Sequence, residues 1–353
     1  SAKTIYVPDD YAKIQWAVDN ASAGDTIIVR DGTYYENLKV DKQLTIKSEN
    51  GSDNCIVDGG GSGDVITLNA DEITIEGFTV RNSGSSWPDA GIKVFSNANK
   101  IAYNSITNNF YGIYLYSSSN NIIANNSISS NNDDGIYLYE FSNSTIANNN
   151  ASNNGDEGIE LWYSSNNVIA NNTVSSNNWE GIHLGYSSNN IIANNTISSN
   201  NWWGIYFDYS SNNTIANNNV SSNNFYGISL GCSSNNIIAN NIISSNNDDG
   251  IGFSFSNNNI IYLNNFIDNA DNVCSYFSTN IWNSTEKITY TYNGSQYTNY
   301  LGNYWSDYNG SDADGDGIGD TPYIIDRDKD NYPLMQPWEN YFAPQVFSAD
   351  EYF

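Results

Sequence analysis

Basic side chains are scarce in this sequence and absent from its middle: Lys and Arg number 12 against 39 Asp and Glu, and none lies between Ile101 and Glu286. Affinity for nucleic acid comes mainly from cationic side chains that release phosphate counterions, so a formal charge of −27 excludes nucleic acid as a partner. Anionic membrane surfaces are disfavoured for the same reason, which leaves cations and neutral glycans. Long apolar runs are missing too, and no stretch approaches the ~20 residues of a membrane span. Soft metal ligands are few: one His, one Met and three Cys. The cysteines (Cys55, Cys232 and Cys274) are odd in number and lack C-x-x-C spacing, so they form neither a disulfide framework nor a zinc site. The first residue is Ser1 rather than Met, as expected of a chain processed on export.

Asn, Ser and Ile are plentiful, and their arrangement is periodic. Gly112, Gly135, Gly158, Gly181, Gly204, Gly227 and Gly250 are each 23 residues apart, the signature of a solenoid. Each repeat reads Gly-Ile-x-Leu, Ser-Ser-Asn-Asn, Ile-Ile-Ala-Asn-Asn, then a β-branched residue and Ser-Ser-Asn-Asn. Short apolar segments between Asn/Ser turns are strands. Stacking coils ~4.8 Å apart pairs the strands in parallel and buries their apolar faces. The pattern therefore predicts an all-β, single-stranded, right-handed parallel β-helix of 23-residue coils, about eleven in number. Ile113 to Ile251 and Ile123 to Ile261, taken every 23 residues, become internal aliphatic stacks, and the Asn126 to Asn264 column becomes an amide ladder. Ile14-Gln15-Trp16-Ala17-Val18 reads as a short amphipathic helix covering the first coil, whose edge is otherwise an open template for pairing. The expected organisation is an N-terminal cap over 1–24, a β-helix over 25–280, and a C-terminal module over 281–353.

Three segments resemble a known group. "IQWAVDNASAGDTIIVRDGTYYENL" is similar to the entry segment of right-handed parallel β-helix proteins. The "NNIIANNTISSNN" repeat resembles the NosD-like carbohydrate-binding/sugar-hydrolysis group, and "YTNYLGNYWSDYNGSDADGDGIGDTPY" resembles the C-terminal module of archaeal surface proteins in that group. The resemblance implies periplasmic copper delivery in some members. With one His, one Met and scattered Cys, this chain has too few soft ligands for that role. Asn-x-Ser/Thr triplets recur from Asn20 to Asn309. Many are the repeat motif itself, yet with so little lysine they point to an extracellular, cell-surface glycoprotein.

The sharpest motif is Asp312-Ala-Asp314-Gly-Asp316-Gly-Ile318-Gly-Asp320. Carboxylates at loop positions 1, 3, 5 and 9, with the Ile318 carbonyl at 7, match a calcium loop, so Ca2+ is the expected cofactor. Tyr323 stands where a bidentate Glu is usual, so Asp326, Asp328 or Asp330 is expected to complete the shell. A second candidate is the solenoid face carrying Trp162, Trp179, Trp202 and Trp203 beside Glu157, Glu160 and Glu180. Aromatic platforms beside carboxylates suit sugar rings, although such ladders also simply decorate β-helix flanks. His183 follows Gly181 by two on the outward side, where Tyr137, Glu160 and Tyr206 occupy the same slot, and reads as a variable surface residue. Lyase chemistry on a uronate needs a base that the repeat region, lacking Lys and Arg, does not supply.

Three readings stay open: a structural or adhesive surface protein stabilised by calcium, a carbohydrate-binding module, and a glycoside hydrolase using Glu157, Glu160 and Glu180. The first makes the chain non-enzymatic. The tail bearing Val346, Phe347, Tyr352 and Phe353 ends in apolar residues and is expected, with Thr4–Val7, to join subunits head to tail as a homo-oligomer.

Overall fold

The computed structural model describes residues 2–342 and shows an all-β, right-handed parallel β-helix. Three parallel sheets run along it, with 12, 11 and 12 strands. Sheet A starts with Thr4–Val7 and Thr26–Val29, sheet B with Gly32–Tyr35, and sheet C with Leu38–Val40. The chain visits A, B and C once per coil. Through the regular region each residue therefore pairs with the one 23 positions on, as in Ile136↔Ile159 and Ile169↔Ile192.

The expected stacks form. Ile113, Ile136, Ile159, Ile182, Ile205, Ile228 and Ile251 are fully buried, as are the Ile123 to Ile261 column and a further column of Leu115, Leu138, Leu161, Leu184 and Phe207. Each buried aliphatic side chain contributes about 1.5–3 kcal/mol of burial free energy. The Asn-Asn doublets divide two tasks. The first Asn turns the chain with a left-handed φ of 57–59° at Asn125, Asn148, Asn171, Asn194, Asn217 and Asn240, a conformation Asn tolerates. The second is buried and builds the ladder. Asn149 donates its backbone and side-chain N–H to Asn172 Oδ1 at 2.9 and 3.1 Å, and its side chain also to Ile123 O at 2.9 Å. Parallel ladders run through Asn167, Asn190, Asn213 and Asn236 and through Asn154, Asn177, Asn200 and Asn223. The repeating glycine is required by proximity: a Cβ at Gly181 would lie 2.6 Å from Gly204 O.

The ends depart from the regular repeat. Thr4–Val7 pairs in parallel with Thr26–Val29 as the first strand of sheet A. The helix Ile14–Asn20 follows it and buries Ile14, Ala17 and Val18. Glu36 accepts the N–H groups of Ile14 and Gln15 at 2.9 Å, satisfying donors that a helix start leaves free. At the other end, Tyr304–Trp305 closes sheet B against Asn265–Phe266, so the coil stack reaches into the C-terminal segment. Leu334 then bridges Tyr304 in parallel. A second apolar cluster, made of Leu263, Tyr290, Tyr292, Leu301, Ile318, Leu334 and Tyr341, lies here beside the main core. Val346, Phe347, Tyr352 and Phe353 lie outside the described residues.

Candidate functional site

Sheets A and B show the same few residue types outward, coil after coil. Sheet C does not. Its outward column reads Lys93, Tyr114, Tyr137, Glu160, His183 and Tyr206 in strict register. Residues immediately before each glycine add Tyr111, Asp134, Glu157, Glu180 and Trp203 to the same face.

The structure brings Glu157, Glu160 and Glu180 together but not at the surface; Glu180 is only 3% exposed. His183, expected as an exposed variable residue, is buried with them. Its Nδ1 lies 2.9 Å from Glu160 Oε1 and 3.6 Å from Glu157 Oε1. The ring is stacked on Tyr206 at 5.0 Å and meets Trp162 edge-on at 5.3 Å. Those two rings turn an outward position into a covered one. Asp134, from the pair that precedes Gly135 on the same face, sits alongside, and its Oδ1 accepts the Glu157 N–H at 2.9 Å. Asp133, Asp134 and Asp156 form an adjoining group. All these residues were legible as one column group, because positions 23 apart must be neighbours.

Charge is divided unevenly across this cluster. Burial alone would lower the His183 pKa, but the bonds and charges of Glu157 and Glu160 lift it to about 10. Burial would raise Glu157, yet the bonds from His183, Asp134 and Glu180 and the charge of His183 together hold this carboxyl below its ordinary value. Burial and the neighbouring Glu157 push Glu180 and Asp156 up to about 8. Asp134 is raised well above its ordinary value by burial and by Glu160 and Glu157.

Aromatic rings surround this centre. On one flank Trp179, Trp202 and Phe225 stack at 5.3 and 4.9 Å, with Trp179 46% exposed. On the other, Tyr163, Tyr186 and Tyr209 stack at 5.2 and 4.9 Å, and all three are exposed. Trp162 joins this flank because Gly185, in the next coil, leaves room for its ring. Along the axis, Phe110, Tyr111 and Tyr114 close one side and Trp203 with Tyr206 the other. The predicted tryptophans thus form the rim and the predicted glutamates lie beneath it.

At the acidic loop, Asp312, Asp314 and Asp316 place ligand oxygens within 4.8 Å of one another. Gly315 and Gly317 take φ of 75° and 87°, allowing the tight turn. Asp320 accepts the Ala313 N–H and the Ser311 hydroxyl at 2.9 Å through Oδ2, which ties the two ends of the loop together. The expected shell from Asp326, Asp328 or Asp330 is not there. Asp326 accepts Ser275 N–H, Asp328 accepts Asn280 N–H, and Asp330 is fully buried beneath Asn303, Trp305 and Tyr332. These three aspartates tie the module to the last coils instead.

Residues 64–201 match the family described as "Right handed beta helix region", and residues 151–310 match "Periplasmic copper-binding protein (NosD)". Each match covers less than half of the chain, and both fall on the coils of the right-handed β-helix. A stretch of 81 residues is 41% identical to a cell surface glycoprotein of Methanothermus fervidus, covering 22% of this chain and only 13% of that protein. Among solved structures, the A-module of the Azotobacter vinelandii mannuronan C-5 epimerase AlgE6 superposes with a TM-score of 0.63 at 14% identity, over 76% of this chain and 94% of that one. The Dettilon tailspike protein gives 0.56 at 16% identity, over 82% and 72%. At such identities these likenesses show the fold alone. Copper, named in one family description, does not fit the residues of this chain. Cys55, Cys232 and Cys274 are free, and among the described residues no group of three potential ligands contains a cysteine. Nor is any helix among the described residues long and apolar enough to cross a membrane.

Proposed function

We propose that this β-helix is an extracellular, non-catalytic adhesive rod of a cell surface that holds glycan chains across sheet C. One observation carries the reading: exposed, stacked rings border the middle of a single sheet on both flanks, while the other sheets stay monotonous. Aromatic faces pack against sugar C–H surfaces, and the acidic floor disfavours polyanions while accepting neutral or cationic sugars. The carboxylates that hydrolysis needs are more than nine-tenths buried beneath those rings. Calcium at Asp312, Asp314 and Asp316 stiffens the end module, and three carboxylates within one ion's reach support that role. Head-to-tail assembly belongs to the same reading, supported by the edge position of Thr4–Val7 in sheet A.

One observation favours hydrolysis instead: Glu157 is held low and Glu180 high, the separation that distinguishes base from acid in glycosidases. A glycan array run together with a reducing-end assay separates the two. Binding of neutral or amino sugars without released ends is the expected result. Released ends lost in Glu180→Gln select hydrolysis, and no binding to any sugar rejects the glycan-holding role.

A further inference from the structure

The buried centre of sheet C has a composition that sugar binding does not explain. Two successive coils carry Glu157-Gly-Ile-Glu160 and Glu180-Gly-Ile-His183. Because strands pair in register, Glu160 lies over His183, and the two residues before the glycines stack likewise. Three potential ligands are thereby brought together from two coils, with a further buried carboxyl, Glu180, beside them. Glu157, Glu160 and His183 each direct one donor atom to within 4.8 Å of the others. Glu180 is 3% exposed, and its Oε2 has no hydrogen-bond partner. It stands one coil on from Glu157 in the column before the glycines, where burial acts on it first and the charges of Glu157 and His183 next. Sequence offers this group no relief, since Lys and Arg are absent from Ile101 to Glu286. Three carboxyl groups and one imidazole crowd into a dry volume, and a buried carboxyl oxygen without a partner is costly in either protonation state.

We infer that Glu157, Glu160, Glu180 and His183 form a site for a divalent first-row metal ion. One imidazole with several carboxylates suits Mn2+, Fe2+ or Zn2+; it is too rich in oxygen for soft-ligand copper and carries a nitrogen that calcium sites lack. Asp134 is a positioning residue, holding the Glu157 backbone through its N–H at 2.9 Å. The rings of Trp162 and Tyr206 pack on the imidazole and fix its plane. The inference concerns the floor of the face and is independent of whether sugars bind the rim.

The test uses the full chain carrying Asp312→Ala and Asp314→Ala, so that the acidic loop contributes nothing. It is stripped with chelator, loaded with Mn2+, Zn2+ or Co2+, desalted, and its metal content measured. One retained equivalent per chain is expected. His183→Gln and Glu180→Gln should each weaken retention by more than the roughly 10- to 100-fold that outer-shell partners supply. Since these variants can lose stability, the Co2+ absorption spectrum of the unsubstituted site provides a second reading. Visible bands of nitrogen-ligated, low-coordinate Co2+ are expected. No retained metal, or equal retention in the variants, overturns the site, and so does a Co2+ spectrum identical to that of the hexaaquo ion.

Discussion

Between Gly112 and Gly250 nearly every contact is made again one coil later, whereas beyond Ile281 almost none is made twice. In the coils, an Asn such as Asn172 bonds to Asn195 as Asn195 bonds to Asn218, at 3.0 Å each time. Stability there is a sum of similar neighbour terms, so no single coil is indispensable to the pattern. The C-terminal module relies on single-copy groups. Asp330 alone accepts from the backbone of Asn303 at 2.7 Å, the Trp305 indole at 3.0 Å and the backbone of Tyr332 at 2.9 Å. Repetition yields length and a uniform interior. Unique contacts end the stack, and a face that departs from repetition, as sheet C does, is where recognition can be placed.

This contrast can be broken most forcefully in the ladder. Asn195→Ala removes the acceptor for the backbone and side chain of Asn172 and the donor to Ile169 O. Each buried group left unpaired costs ~1–3 kcal/mol, so a loss of about 3–5 kcal/mol is expected in denaturant unfolding followed by far-ultraviolet circular dichroism. A loss under 1 kcal/mol would mean that the ladder is not what holds the coils. Asp330→Ala should cost less, about 3 kcal/mol, because burial already pushes this carboxyl up to about 6 and so offsets part of what its bonds contribute. Its effect should be local: limited proteolysis cuts after Tyr300 while the coil signal persists. Calcium gives a further separation of the regions. At a concentration 100 times its dissociation constant it should stabilise the module by about 2.7 kcal/mol, and Asp314→Ala should abolish that gain. Equal protection of coils and module by calcium would contradict the assignment. Least disruptive is Trp179→Ala with Trp202→Ala. These rim rings should cost about 1 kcal/mol of stability, the worth of a partly exposed aromatic pair.

Much of the coil region was legible because one number, the period, dictates register, and register dictates which side chains meet. Ile columns, Asn ladders and the glycine column all follow from it. The same reasoning puts His183 in the Glu160 column, but not in a buried position. Its burial was missed because outward was equated with exposed, whereas Trp162 and Tyr206 cover that slot from adjoining coils. The roles of Asp326, Asp328 and Asp330 had no such guide. Asp326 meets Ser275 across 51 residues and Asp328 meets Asn280 across 48, separations that no repeat predicts, so proximity in sequence pointed wrongly to the acidic loop. Thr4–Val7 precedes the 23-residue repeat, so its pairing with Thr26–Val29 across the helix Ile14–Asn20 was not legible from the period.

Sheet C recognition is tested most directly by measuring, in calorimetric titration, the affinity of the double variant Trp179→Ala/Trp202→Ala for a glycan that the unsubstituted rod binds. Two anchoring rings worth at least ~1 kcal/mol each predict a loss of roughly 30-fold or more, with the melting transition of the coils nearly unchanged. Undiminished affinity in a correctly folded double variant would contradict glycan binding across this face.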